Sequence, residues 1–402
     1  MSPRCASTLA SVALVALATS GCDTGSEFTN DTEELALRDV HPADTDTAVA
    51  PSPAASPGTG PADATPDRSP VSGLPNPPAS GVPRPCGKPG NLRVLDWAGF
   101  KGAVSYTYDD SQPSHVQHYD ELQATGIRQT FYVNRETGIA SLATWQQALA
   151  DGHEIANHTA HHCRAPSAQI PGLNGCIFGT LPADATPDSE IDQNTEWITS
   201  AVGAPGVWTM ATPFGDANWD PFASSRFLAN RDVFQAMVAP NDDTDPFHLP
   251  CYMAGATQDG GITDSEAEFE GLIDTARAEG KWMTFLFHTI LPTPDNWYGP
   301  VDIGSITGSI EHLQQLGDVW ADSMVFVAAY WRAQKLFNSL TPTRRGRVTT
   351  WTWELPPNFP PGMFLRVTVD GGRLFQGDRP LRWDDHGFYE VALDAGSLTL
   401  RP

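Results

Sequence analysis

The chain has 402 residues, enough for one barrel-sized domain with further segments at its ends. Its 48 acidic side chains outnumber its 24 lysines and arginines, for a formal net charge of −24. Binding to nucleic acid or to an anionic lipid surface depends on clustered Lys and Arg, so both are excluded as partners and an uncharged or cationic partner is expected.

Residues 1–22 carry one early basic residue, Arg4, an apolar run from Leu9 to Leu17, and the small residues Thr19, Ser20 and Gly21 before Cys22. The run is too short to cross a bilayer and reads as an export signal. Cys22 is placed like a bacterial lipobox cysteine, which implies an exported protein lipid-anchored to the cell envelope; simple secretion, to the periplasm or beyond, is the alternative. Residues 23–86 are rich in Pro, Ala, Thr, Ser and Asp and show no apolar period, so they are expected to form a disordered tether.

From 87 to 340 short apolar or β-branched runs alternate with helix-like stretches, the pattern of an α/β fold with a mostly parallel sheet. Strands are expected at 102–108, 129–133, 154–157, 207–212, 234–238, 282–287 and 324–328. Helices are expected at 113–125, 142–150, 189–202, 264–279 and 305–317. Seven such units suggest a distorted (β/α)7 barrel. After 340 the helical pattern stops, and runs at 348–355, 364–370, 388–393 and 397–400 alternate apolar and polar residues around turn sequences such as Asp370-Gly371-Gly372. Residues 341–402 therefore read as a small all-β, sandwich-like module. Four cysteines follow the signal, Cys86, Cys163, Cys176 and Cys251. In an exported chain they favour disulfides, and of the three pairings the one joining Cys163 to Cys176, which closes a short loop, is expected.

In parallel α/β folds reactive groups gather at the C-terminal ends of strands. Here the first strand runs into Asp109 and Asp110, the third into His158, the fourth into Thr212-Pro213-Phe214-Gly215, and the sixth into His288. His158 and His162 are four residues apart, so a helix starting there would aim both imidazoles one way, and Asp110 is the natural carboxylate to complete a His, His, Asp face on a metal. Taken alone, the histidine pair is equally consistent with two exposed side chains on a helix, and the Asp pair with a helix cap.

The ordered set Thr107-Tyr108-Asp109-Asp110, His158-Thr159-Ala160-His161-His162, Thr212-Pro213-Phe214-Gly215 and Leu286-Phe287-His288 resembles the polysaccharide deacetylase family with the NodB homology domain, across about 103–337. The resemblance implies a barrel of the NodB type and a metal-dependent hydrolase removing N-acetyl groups from a GlcNAc-containing glycan such as chitin, peptidoglycan or an exopolysaccharide. It implies Asp109 as general base, Asp110, His158 and His162 as ligands of Zn²⁺, with Co²⁺, Ni²⁺ or Mn²⁺ as alternatives, and His288 as general acid. It also implies an oxyanion and substrate pocket from Pro213, Phe214 and Leu286, while Trp297, in the stretch after His288, either stacks on a sugar ring or simply caps the barrel. Two positions depart from the family pattern. Ala211 stands where an Arg usually pairs with the catalytic Asp, and the Asp that usually orients the catalytic His has no clear match, with Asp242, Asp243 and Asp245 in a suitable region. The rival readings are an O-deacetylase of the acetylxylan esterase kind and a glycan-binding surface protein with a degenerate site.

Overall fold

The computed structural model describes residues 68–402. The export segment, Cys22 and the linker up to residue 67 lie outside the described residues. The centre is a curled, mostly parallel sheet of eight strands: β1 (Gly102–Asp109), β2 (Thr130–Val133), β3 (Glu154–Asn157), β4 (Thr209–Ala211), β5 (Ala229–Arg231), β6 (Tyr252–Met253), β7 (Trp282–Phe287) and β8 (Val319–Ala321). Its order is β5-β4-β3-β2-β1-β7-β6, with β8 on the first half of β1. The segment before β6 closes the ring: Arg231 bridges Leu249 in parallel, and Asn230 and Asp232 donate backbone N–H groups to Pro246 and Leu249. This is the distorted barrel expected from the sequence.

Every residue of β1, β2, β3 and β7 is buried, as a parallel sheet covered on both faces requires. The period of two then sorts the side chains. Val104, Tyr106, Tyr108, Phe131, Val133, Ile155, Phe285 and Phe287 pack outward against the helices. Ala103, Tyr132, Ala156, Ala211 and Trp282 belong to a second core inside and beneath the barrel. Asp109, Glu154, His158, Arg231 and His288 share the parity of this inner set, so the alternation that buries the outer aromatic face also aims these polar groups into the barrel.

Two expected strands are replaced. The stretch 234–238 contributes an isolated antiparallel bridge from Val238 to Trp282, because the chain has already turned back after β5 and cannot join a parallel ladder. The stretch 324–328 opens the helix α1 (Met324–Ser339), which follows β8. Its start, Met-Val-Phe-Val-Ala-Ala, is wedged between barrel and tail module, and a helix apolar on nearly all sides loses the 3.6-residue signal that would separate it from a strand.

The tail forms two antiparallel sheets, as expected, one of which recruits Arg93–Val94 from ahead of the barrel. Leu365, Val367, Val391, Leu398 and Leu400 share one core with α1 and with Trp282 and Trp320 of the barrel floor. The module therefore plugs the end of the barrel opposite the strand ends that carry His158 and His288. Residues 68–86, expected as the last part of the tether, are folded onto it. Arg366 is fully buried and donates to the carbonyls of Pro75 at 2.7 Å and Ala98 at 3.2 Å and to Glu390 at 3.2 Å, while Ser69 and Ser72 donate to the same Glu390 at 2.7 and 2.6 Å. A buried guanidinium needs acceptors, and this short segment supplies them.

Glu154 sits low in the barrel and accepts from Thr209 Oγ1 at 2.7 Å, Thr130 Oγ1 at 2.9 Å and the Val325 N–H at 2.9 Å. Burial outweighs these donors and pushes its carboxyl up to about 7. A raised folded-state pKa gives stability that is complete below the unfolded value, about 4.3, and is lost as pH rises through 7. Glu154→Gln, which can keep the same partners, is expected to flatten this fall, raising stability at pH 8 by about 1–3 kcal/mol relative to the parent and leaving it little changed at pH 4. Thermal melts across that range read the difference.

Candidate metal centre and active site

The site is assembled where the inward parity of the strands meets four backbone turns that L-residues seldom adopt. Past the end of β1 the chain bends at Asp110 (φ 76°) and Ser111 (φ 52°); past β3 it bends at Thr159 (φ 61°) and His162 (φ 50°); past β4 it bends at Phe214 (φ 59°). Such conformations cost free energy and persist when neighbours over-determine them. The neighbours here are specific. Asn134, at the end of β2, donates to the carbonyls of His158 at 2.5 Å and Thr159 at 3.0 Å, and its own N–H is held by Ser111 Oγ at 2.9 Å. Glu190, fully buried on the helix Pro187–Trp197, accepts from the His161 N–H at 2.8 Å and contacts His161 Nδ1 at 2.6 Å. Gly215 follows Phe214 because a Cβ there would stand 1.9 Å from Val233 Cγ2.

These turns deliver three donor groups to one point. Asp110 Oδ1 lies 3.4 Å from His158 Nε2 and 3.3 Å from His162 Nε2, and the donor atoms of all three residues fall within 4.8 Å of one another. Two ligands bonded at about 2.0–2.1 Å and separated by a tetrahedral angle stand about 3.3–3.4 Å apart, so the set fits a small divalent cation. His158 Nδ1 donates to the Ala211 carbonyl at 2.8 Å, which leaves its Nε2 lone pair for the cavity. Asp110 Oδ1 is buried without a hydrogen-bond partner, as a cation ligand would be. The expected ligand trio is thus brought together, although by a strained turn and not by a helix: 158–163 has no helical residue, because the two positive φ values break it.

Electrostatics mark the same cluster. Burial pushes the Asp110 carboxyl up, but the adjacent imidazoles of His158, His162 and His288 outweigh it and hold the group below the usual carboxylate range. For His158 the carboxylates of Asp109 and Asp110 win over burial and the pKa rises. For His162 burial wins and lowers it to about 4, and His288 is likewise lowered by burial.

Asp109 has the partner that Ala211 cannot provide. Arg231 donates through Nη2 to both carboxylate oxygens, at 2.5 Å to Oδ1, and its guanidinium crosses the barrel interior 5.2 Å from the Tyr132 ring centroid. Arg231 is the register partner of Ala211 on the next strand. The cation stands one strand along from the position where the family pattern has it. Sequence reading missed Arg231 because β5 was expected at 234–238; its position ending Ala229-Asn230-Arg231, directly after the apolar pair Phe227-Leu228, is the signal that was available.

His288 lies in the same cavity, with Nδ1 buried and unpartnered. Asp242 and Asp245, expected near it, instead cap local turns, accepting from the N–H groups of Ala239 and Phe247. The cavity has a volume of about 490 Å³ and is lined by Phe214, Trp297, Tyr298, Ile177 and Arg164 together with Asp110, His158 and His162. Pro213 and Leu286 are buried and not among its lining residues; Leu286 packs with Cys251, Met253 and Ala256. Cys163 and Cys176 are joined as expected, and the Cys251 thiol is buried against Arg231.

Residues 99–230 match the family model described as polysaccharide deacetylase. Among solved structures the chain is similar to a family 4 carbohydrate esterase from Streptomyces lividans (17% identity, 55% of this chain and 92% of that one, TM-score 0.37). It is also similar to a CE4-family pseudoenzyme from Bacillus anthracis (11%, 60% and 68%, 0.36) and to an allantoinase (15%, 61% and 95%, 0.44). No curated protein sequence matches.

Removing Arg231 leaves a buried carboxylate unpaired. Arg231→Ala is expected to cost about 3–5 kcal/mol of stability by thermal or urea unfolding. Adding Ala211→Arg, which returns a guanidinium from the adjacent strand, is expected to recover part of that loss; a double variant no more stable than the single one would show that the two positions are not interchangeable. Asp110→Asn is expected to weaken Zn²⁺ binding by at least about 100-fold in calorimetry.

Proposed function

With residues 99–230 as a segment of the polysaccharide deacetylase family, we propose that this chain is a metal-dependent hydrolase that removes N-acetyl groups from a GlcNAc-containing glycan. The observation that carries the reading is the convergence of Asp110, His158 and His162 on one point of a walled cavity, with the clamped carboxylate of Asp109 beside them. Asp110, His158 and His162 would hold a divalent cation, Zn²⁺ first and Co²⁺, Ni²⁺ or Mn²⁺ as alternatives, which would supply Lewis acidity at the acetyl carbonyl.

The chain's own groups do the rest. Asp109 takes the proton of the attacking water, and Arg231 keeps its carboxylate in one orientation while it does so. In this reading the backbone N–H of Phe214 receives the oxyanion; the positive-φ turn at Phe214, followed by a Gly215 that has no room for a Cβ, supports that role. His288 delivers a proton to the departing nitrogen, so that acetate and a free amine leave. Trp297, 53% exposed, and Tyr298, 38% exposed, offer ring faces to the sugar at the mouth.

One observation favours a second reading. His288 Nδ1 has no carboxylate partner and burial lowers the ring's pKa, so the supply of the proton is weaker than an amine leaving group demands. An ester leaves with less assistance, which supports O-deacetylation by the same site. For location, the export signal and Cys22 support an exported protein lipid-anchored to the cell envelope; no described helix is long and apolar enough to cross a membrane.

The test is acetate release by the full chain from chitopentaose and from acetylxylan, with and without Zn²⁺. Metal-dependent release from chitopentaose, reduced by about 100-fold or more in Asp109→Asn, is the expected result. Release from acetylxylan alone would replace it with the esterase reading, and tight metal binding without turnover would favour a binding protein. His288→Ala is expected to lose amide activity at least about tenfold more than ester activity.

A further inference from the structure

The wall of the cavity contains one cation that no other residue uses. Arg164 follows the metal ligand His162 by two positions and lies in a ribbon closed by the Cys163–Cys176 disulfide. Its N–H donates to the Asn174 carbonyl at 2.8 Å and its carbonyl accepts from the Asn174 N–H at 3.3 Å, so its backbone is pinned across that ribbon. The aliphatic stem rests on Gly175, and the guanidinium carbon stands 4.2 Å from the Phe214 ring centroid. Phe214 in turn meets the His162 ring at 4.4 Å between centroids. The exposed guanidinium therefore stacks on the ring that packs against His162, at the wall of the same cavity.

The other charges of the cavity are already committed. Asp109 is clamped by Arg231, Asp110 belongs to the ligand trio, and Asp259 accepts from the Tyr298 hydroxyl at 2.6 Å. Arg164 makes no ion pair among the described residues. With one face over Phe214 and the side chain exposed, the planar fork of its N–H groups is open to a carboxylate. Arg164 also lines a second, adjoining pocket of about 480 Å³ with Ser167, Asn174, Asp216 and Asn218, and Gly215 is common to both. It thus stands at the junction between the acetyl site and the space for a neighbouring sugar.

The overall charge of −24 works against anionic ligands, which is why an uncharged or cationic partner was expected; a preorganised local cation reverses that preference over a few ångströms. We infer that Arg164 is a specificity residue that binds a carboxylate on the acetylated sugar or on the ring next to it, so that the substrate is an acidic acetylated glycan. The inference rests on the deacetylase reading for its substrate class. A carboxylate can come from a lactyl ether on the acetylated glycan's own amino sugar, as in peptidoglycan strands stripped of their stem peptides, or from an adjacent uronic acid, as in hyaluronan.

The experiment measures kcat/KM for acetate release by the Zn²⁺-loaded full chain from chitin oligosaccharide, peptide-free peptidoglycan glycan strands and hyaluronan oligosaccharides, in the parent, Arg164→Gln and Arg164→Lys. The parent is expected to prefer one carboxylated glycan over the neutral one by about tenfold or more, and which one identifies the source of the carboxylate. In Arg164→Gln that ratio should collapse to about one, with Arg164→Lys between, since an ammonium keeps the charge without the fork. A parent that does not discriminate, or a ratio untouched by Arg164→Gln, overturns the inference. If no glycan releases acetate the deacetylase reading fails by itself, and calorimetric binding of the same three glycans then decides: loss of affinity in Arg164→Gln confined to a carboxylated glycan supports the inference, while an equal loss for all, or no binding of any, overturns it.

Discussion

A guanidinium spanning the inside of the barrel to reach one carboxylate is the contact on which the site depends. Arg231 and Asp109 are both withdrawn from water, and two buried charges are tolerable only when each satisfies the other. The pairing constrains everything around it. Tyr132 lies alongside the cation, and β5 must keep its register with β4 so that Arg231 stands level with Ala211. On its other side β4 pairs with β3, Asn157 standing level with Met210, and there the Ala211 carbonyl accepts from His158 Nδ1, so β4 links the clamp on the carboxylate to the tautomer of that imidazole.

The second requirement is strain that is held. Five residues with positive φ surround the cluster, and none of them is glycine. What holds them is a ring of polar groups away from the reacting atoms: Asn134 on the carbonyls of His158 and Thr159, Asn157 Oδ1 on the Thr159 N–H at 2.7 Å, and Glu190 on His161. These buried bonds are short and fully enclosed, conditions in which a hydrogen bond is strong and its loss costly. The disulfide extends the same restraint outward, from His162 through Cys163 to the ribbon that presents Arg164.

Stability is supplied at the opposite end. The β module, the helix Met324–Ser339 and the folded segment 68–86 form one continuous core with the barrel floor, organised around the buried Arg366 and a cluster of tryptophans. Separating the two tasks lets the strand-end loops remain strained and polar while the floor is apolar and closely packed.

The amino-acid sequence alone determined the α/β barrel, the β tail and the Cys163–Cys176 pair, and it picked out Asp109, Asp110, His158, Phe214 and His288, residues that the structure gathers in one cavity, because strand alternation and strand-end placement are local properties, readable over a few residues. Tertiary structure decided the rest. Arg231 was hidden because its meaning lies in a register with Ala211, a contact between strands that no local pattern encodes. The helical start at Met324 was hidden because burial on all sides erases amphipathic period, and the folding of 68–86 because its partners, Arg366 and Glu390, lie some 290 to 320 residues away. The turn that gathers His158 and His162 likewise depends on Asn134 and Glu190, which a helical reading of their spacing had no reason to include. Local chemistry is written along the chain, but who faces whom across a barrel is settled only when the sheet closes.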